Sequence, residues 1–227
     1  MRSILAALML CSGPLAVSAQ ESLTVQPVKQ DPPPSLSPEI RRALDGRAYR
    51  IQDEQGGDFA RIWLRRATPG SERPAGPRGA IQFPFFADGE LLGVLEFAKE
   101  GHDYRDQPIA KGVYTMRYGL QPVNGDHLGV STYRDYILLL PAAKDRSLAI
   151  PARKQLEERS AEAAGTSHPA AFLLLMAPPG AKPDPATHHD SEKQTWGVIL
   201  PLRVQVKGQA EPLVYPIQLI VVGAAAA

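Results

Sequence analysis

The chain has 227 residues, 44% of them apolar and 22% charged, with a formal net charge of +1. That length and composition fit one globular domain able to bury a sizeable core. The near-neutral balance argues against a general nucleic-acid binder, which needs a basic face to displace counterions from phosphate, and against an acidic solvating tail.

In chain order, residues 1–19 read as a secretory leader. Arg2 is the only charge before Gln20, an apolar run covers 4–10, Gly13 and Pro14 break it, and Val17, Ser18 and Ala19 offer small residues for cleavage after Ala19. The run is too short for a membrane span, which needs about 20 apolar residues. Cleavage removes one of the 25 basic residues and so balances the 24 acidic ones. It also removes Cys11, the only cysteine. The mature chain then has no disulfide, no thiolate chemistry and no cysteine-ligated metal. A periplasmic or secreted location is expected.

Residues 20–36 hold Pro27, Pro32, Pro33 and Pro34 and few large apolar side chains, a composition expected for a flexible tether. A short helix should follow, with Ser37 as N-cap, Pro38 in its first position, Ile40 and Leu44 on one face, and Gly46 at its exit. Thereafter period-two patterning dominates. Strands are predicted over 59–65, 91–99, 113–119, 136–140, 172–176, 196–206 and 213–222. The clearest alternation places Trp196, Val198, Leu200, Leu202, Val204 and Val206 on one face. A turn over 207–212 makes the last two strands a hairpin, with Pro216 setting the second at an edge or bulge. A surface helix is predicted over 152–164, its apolar stripe thin (Leu156 and alanines) and its stop at Gly165. The expected fold is mainly β: an antiparallel β-sandwich with one or two short peripheral helices, one domain over 37–223 and a tail at 224–227.

No nucleophile elbow, phosphate loop, dinucleotide turn or zinc helix occurs in the sequence. Polar residues gather instead in four loops, at 102–106, 124–135, 165–169 and 187–190. If successive strands run up and down, His102 and His168 share one end, while His127, His188 and His189 share the other with Asp126 and Asp190. Three imidazoles and two carboxylates would make a candidate site for a divalent transition metal. Against this, His and Asp favour loops for turn chemistry alone, and adjacent His188 and His189 point apart on an extended strand. Tyr-Arg-Asp occurs twice, at 104–106 and 133–135. Arg105 and Arg134 are therefore candidate clamps for an anionic ligand, or structural partners of nearby carboxylates and carbonyls. Ser167 and His168 are too close in sequence for nucleophile–base geometry. Trp63, between Arg61 and Arg65, is either a stacking platform for a ligand or a side chain packed under arginine stems.

The run Lys111-Gly112-Val113-Tyr114-Thr115-Met116-Arg117-Tyr118 has a Gly-x-Tyr strand entry. With Gly101-His102-Asp103-Tyr104-Arg105, Gly125-Asp126-His127-Leu128-Gly129, Arg134-Asp135, Leu140-Pro141-Ala142 and the closing Val221-Val222-Gly223, it resembles small secreted bacterial β-sandwich proteins of unknown function over about 90–223. The resemblance implies an envelope β-sandwich and carries no catalytic residues. The expected function is a non-catalytic exported binding or envelope-associated module without a cofactor, its partner a protein or small ligand. The alternative is a metal-dependent or acid–base hydrolase using the His/Asp loops.

Overall fold

The computed structural model describes residues 22–123 and 131–224. Strand accounts for 44% of the described residues and helix for 9%. In chain order the elements are β1 (Thr24–Lys29), α1 (Pro38–Ala43), β2 (Arg47–Gln52), β3 (Asp58–Leu64), β4 (Thr68–Gly70), β5 (Leu91–Phe97), β6 (Gly101–His102), β7 (Pro108–Ile109), β8 (Gly112–Leu120), β9 (Asp135–Pro141), α2 (Arg153–Ala164), β10 (Ala171–Met176), β11 (Ala186–Asp190), β12 (Thr195–Val206) and β13 (Leu213–Val222). Among the described residues, no helix is long and apolar enough to cross a membrane.

Eleven strands join in one large mixed sheet, ordered β1-β2-β3-β5-β8-β9-β10-β13-β12-β11, with β4 added in parallel beside β12. The hairpin β6–β7 forms a separate two-stranded sheet. β10 changes partner half-way: residues 171–173 pair with β9, and residues 174–176 pair with β13. The two ends of the order, β1 and β11, approach each other without pairing, so the sheet curls round a single interior.

Alternation decides which side chains enter that interior. Ile62, Leu95, Met116, Ile137, Phe172, Leu200 and Leu219, one from each of seven strands, belong to the same buried cluster. Each such side chain contributes roughly 1.5–3 kcal/mol relative to exposure. The outer face carries smaller clusters. α1 lays Ile40 over Trp63 and Val94, with Leu44 just beyond its end, and Leu156 of α2 rests on Leu138 and Leu140. Ser37 caps α1 as the sequence predicts, its Oγ accepting from the Ile40 amide at 3.2 Å. Gly165 ends α2 in the left-handed conformation at φ 64°.

Buried charges tie the loops to this frame. Arg117, on the outer face of β8, donates to both oxygens of Asp145 at 2.7 and 2.9 Å, and to the carbonyls of Gly89 and Ser147. Asp135 accepts from the Gln82 and Phe83 amides and from the Tyr118 hydroxyl. It thereby fixes an aromatic segment whose Phe85 and Phe86 pack on Tyr215 and Tyr118. Burial pushes the Tyr118 phenol well above its ordinary pKa, and the Asp135 carboxylate adds to the rise.

Three expectations change. The stretch expected as a tether includes β1, whose six residues pair with β2 from Thr24↔Gln52 to Lys29↔Arg47. Pro27 is tolerated because β1 is an edge strand, where one row of donors needs no partner. Pro216 lies on β13, an internal strand, opposite Pro201 of β12. The β10 ladder reaches only Ile217 and the β11 ladder only Ile199, so neither missing N–H leaves a ladder acceptor empty. Trp63 is fully buried beneath α1, its indole N–H donating to the Gln30 carbonyl at 2.9 Å. It presents no face to a ligand.

Candidate functional site

The sheet's outer face over β9 and β10 is only partly covered. On one side lies the β6–β7 hairpin with its turn, and on the other lies α2. The turn is built on Asp103, which accepts from the Arg105 and Gln107 amides at 2.9 Å each. Its second oxygen accepts from the Ala171 amide at 3.0 Å, and the Tyr104 amide donates back to the Ala171 carbonyl at 2.8 Å. These bonds latch the turn to the first residue of β10. α2 is held opposite by Leu156 and by Ser160, whose hydroxyl donates to the Ala170 carbonyl at 3.2 Å.

Between them is a groove of about 890 Å³, within the range of roughly 300–1,000 Å³ usual for ligand pockets. Tyr136, Leu138 and Ala171 make its floor. Tyr104 and Arg105 form one wall, and Glu157, Glu158 and Ala161 of α2 the other. The Gly165–Pro169 stretch closes one end and Gly119–Pro122 the other. Tyr104 and Tyr136 meet edge to face with centroids 6.2 Å apart. The Tyr136 hydroxyl is buried without a well-formed hydrogen bond. Burial pushes its pKa up to about 12, while Ser131 and Arg105 pull the other way.

The groove gathers residues from two loops that sequence parity places together. Gln107 donates to the Pro169 carbonyl, and the Thr166 hydroxyl donates to Gln107 Oε1 at 2.5 Å. Arg105, Ser167 and His168 all border it and are exposed. Arg134 stands just outside, its Nε donating to the carbonyl of groove residue Gln121 at 2.8 Å. That is the backbone-holding role rather than an anion clamp.

His188, His189 and Asp190 lie on β11 rather than in a loop. Asp190 pairs with Thr195, and its carboxylate accepts from the Glu192 and Lys193 amides, which lower its pKa. His189 stacks on Trp196 at 4.5 Å. Asp190 and Lys193 act electrostatically on the Tyr104 hydroxyl, so this turn sits on the side of the 102–106 loop. Parity predicts the opposite side. It fails because residues 186–190 are an additional strand, β11, between β10 and β12 in chain order, which carries the following turn back to the other end. Asp126 and His127 lie outside the described residues. Among the described residues, no group of three or more His, Cys, Asp or Glu is placed to hold a metal ion.

A second hollow of about 520 Å³ opens beside Leu23, Phe59 and Val222. Within it Lys99 pairs with Asp53 at 2.9 Å, and His102 with Asp106 at 2.8 Å. The Lys99 bond holds the Asp53 carboxyl below its usual range.

Sequence reasoning missed Tyr104, Tyr136, Leu138 and the α2 wall. The thin apolar stripe of α2 was the available signal, because a helix with little to bury stands off the sheet it crosses. Comparisons with family models, with curated proteins and with solved structures returned no match to this chain.

Proposed function

We propose that the chain is an exported, non-catalytic binding protein of the periplasm or extracellular space, akin to the secreted β-sandwich proteins that its 90–223 run resembles. In this reading the large sheet folds over at β10 as a sandwich, since a strand that serves two partners is how a sheet turns a corner. The α2 groove is the ligand seat.

One observation carries the proposal. The groove is a ligand-sized hollow with an apolar floor, held open by a hydrogen-bonded turn on one side and a pinned helix on the other. The acidic groups buried in the scaffold, Glu90, Asp103, Asp135 and Asp145, spend their oxygens on amides, hydroxyls, Arg65 and Arg117. None is left poised for acid–base work, and Ser167 and His168 are exposed neighbours without a catalytic arrangement.

The test uses N-phenylnaphthylamine, a neutral apolar dye whose emission rises on leaving water. The 20–227 chain should enhance it saturably. Ala161→Trp, which fills the groove from α2, should abolish the enhancement while the melting curve is retained. Glu158→Trp fills it from one turn earlier and guards against a folding defect in the first variant. No enhancement, or enhancement indifferent to both variants, overturns the groove as the seat.

A further inference from the structure

Three cations and three carboxylates border the groove, but they do not all pair. Glu157 is engaged by Arg153 at 2.8 Å, Glu158 by Lys154 at 3.8 Å, and Glu162 by Lys144. Arg153 also reaches Asp88 at 2.7 Å and the Leu120 carbonyl at 3.0 Å. Every carboxylate on the α2 wall therefore has its cation, and both cations on that wall have their anions. Across the groove Arg105 is exposed, and its guanidinium has no hydrogen bond or ion pair among the described residues. Its backbone is not free to wander: the amide is held by Asp103, and the turn is latched to Ala171 on both sides. A rigidly mounted planar donor without a partner stands at the lip of an apolar trough.

A second observation lies beneath it. Tyr136 is 6% exposed, lines the floor, and has a hydroxyl with no well-formed hydrogen bond, the Ser131 side chain reaching it only loosely. The Arg105 charge is felt at that hydroxyl. Buried hydroxyls are nearly always satisfied, by protein or by something bound. The unpaired cation and the poorly satisfied hydroxyl thus occur at the same side of the same groove.

We propose that the groove takes a small amphipathic anion, with its apolar body on Leu138, Ala171 and the Tyr136 ring and its oxyanion on the Arg105 guanidinium. This deepens the groove reading and rests on it. An oxyanion matches the Arg fork in two parallel hydrogen bonds, which a neutral polar group cannot do. The α2 carboxylates oppose a second negative charge further along, so a single terminal oxyanion fits better than a polyanion. A carboxylate is the biological form of that chemistry, whether on a straight-chain fatty acid or on an aromatic acid.

The experiment compares two dyes with one body. Anilinonaphthalene sulfonate is N-phenylnaphthylamine carrying a sulfonate, so the ratio of their affinities isolates the charge. The sulfonate dye should bind about tenfold tighter, as one charge-assisted hydrogen-bonded contact provides. That advantage should shrink as salt rises. Arg105→Glu should erase it and leave the neutral dye within about twofold, and Arg105→Lys should restore part of it. Displacement by laurate and by naphthoate then tells the fatty acid from the aromatic acid. Equal binding of the two dyes, or a preference indifferent to Arg105, overturns this inference and leaves the groove reading standing. Displacement by neither acid restricts the site against carboxylates and overturns it also. Failure of both dyes to bind overturns the groove reading itself.

Discussion

Replacing Asp145 by alanine strands the Arg117 guanidinium where water does not reach it. The two side chains are 2% and 0% exposed. In the native chain Arg117 makes two bonds to the carboxylate and two to carbonyls, and Thr115 donates to the same carboxylate at 2.6 Å. Asp145→Ala removes three of these contacts and leaves a cation held by the Gly89 and Ser147 carbonyls. Breaking one side of a buried pair costs about 3–5 kcal/mol, most of it the penalty of the uncompensated charge. For a chain of this size each kcal/mol lowers the melting midpoint by about 2–4 °C, so the drop should be about 6–20 °C. Urea denaturation followed by circular dichroism gives the same quantity from the midpoint, provided the slope is unchanged. The double variant Arg117→Met with Asp145→Leu buries no charge and should recover at least half of the loss. A single-variant cost below about 1 kcal/mol, or a double variant as costly as the two singles added, refutes the reasoning.

Three further outcomes are expected. A Cβ on Gly93 would lie 2.3 Å from the Trp63 carbonyl oxygen, so Gly93→Ala must part β3 from β5 and should cost more than about 2 kcal/mol. Gly165→Ala meets nothing within 4 Å and should cost only about 1 kcal/mol of left-handed strain; the reverse order of urea midpoints would contradict this. Trp63→Phe keeps most of the packing but releases the Gln30 carbonyl, and should cost about 1 kcal/mol or somewhat more. Hydrogen exchange should then speed up in β1, and unchanged β1 protection would show that the indole bond does not anchor it. Burial raises the pKa of Tyr49, Tyr104, Tyr114, Tyr118, Tyr136 and Tyr215 above 10.0. The folded chain therefore holds protons that the unfolded chain releases, so stability is full below pH 10 and falls as pH rises towards 12. Tyrosinate absorbance should show most of the seven tyrosines ionising only together with unfolding. Smooth titration of all seven near pH 10 with the fold intact would be the contrary result.

The strands with a clean period of two were legible, and their bounds agree closely: the predicted 213–222 is β13, and 196–206 is β12 less its first residue. Both helices were legible from caps and composition. β1 was not, because proline content speaks for low order only where nothing pairs with the backbone; here β2 supplies a ladder and Trp63 a bond to the residue just beyond it. β11 was not, because Thr-His-His-Asp has no apolar alternation to show, and an edge strand needs little. The groove was legible only as fragments. Arg105 and His168 stood out as loop residues, but their meeting depends on a turn latched by Asp103 to a strand about 70 residues later in the chain. No local pattern encodes that latch. Nor does any pattern reveal which charges remain unpaired, since pairing is settled only when α2 has taken its place.

The order of strands has a consequence for how the molecule comes into being. β13 is the last strand in the chain, yet it lies between β10 and β12 and joins the seven strands before it to the β12–β11 pair. Until β13 is supplied, the earlier strands have no second partner for the far half of β10, and β11 and β12 make a hairpin with no sheet to join. The strand that follows all the others in chain order is thus the keystone, and a chain still lacking it has no complete native state to fall into prematurely. The far half of β10 and the β12–β11 pair wait for the same strand, so the sheet becomes continuous in one late step.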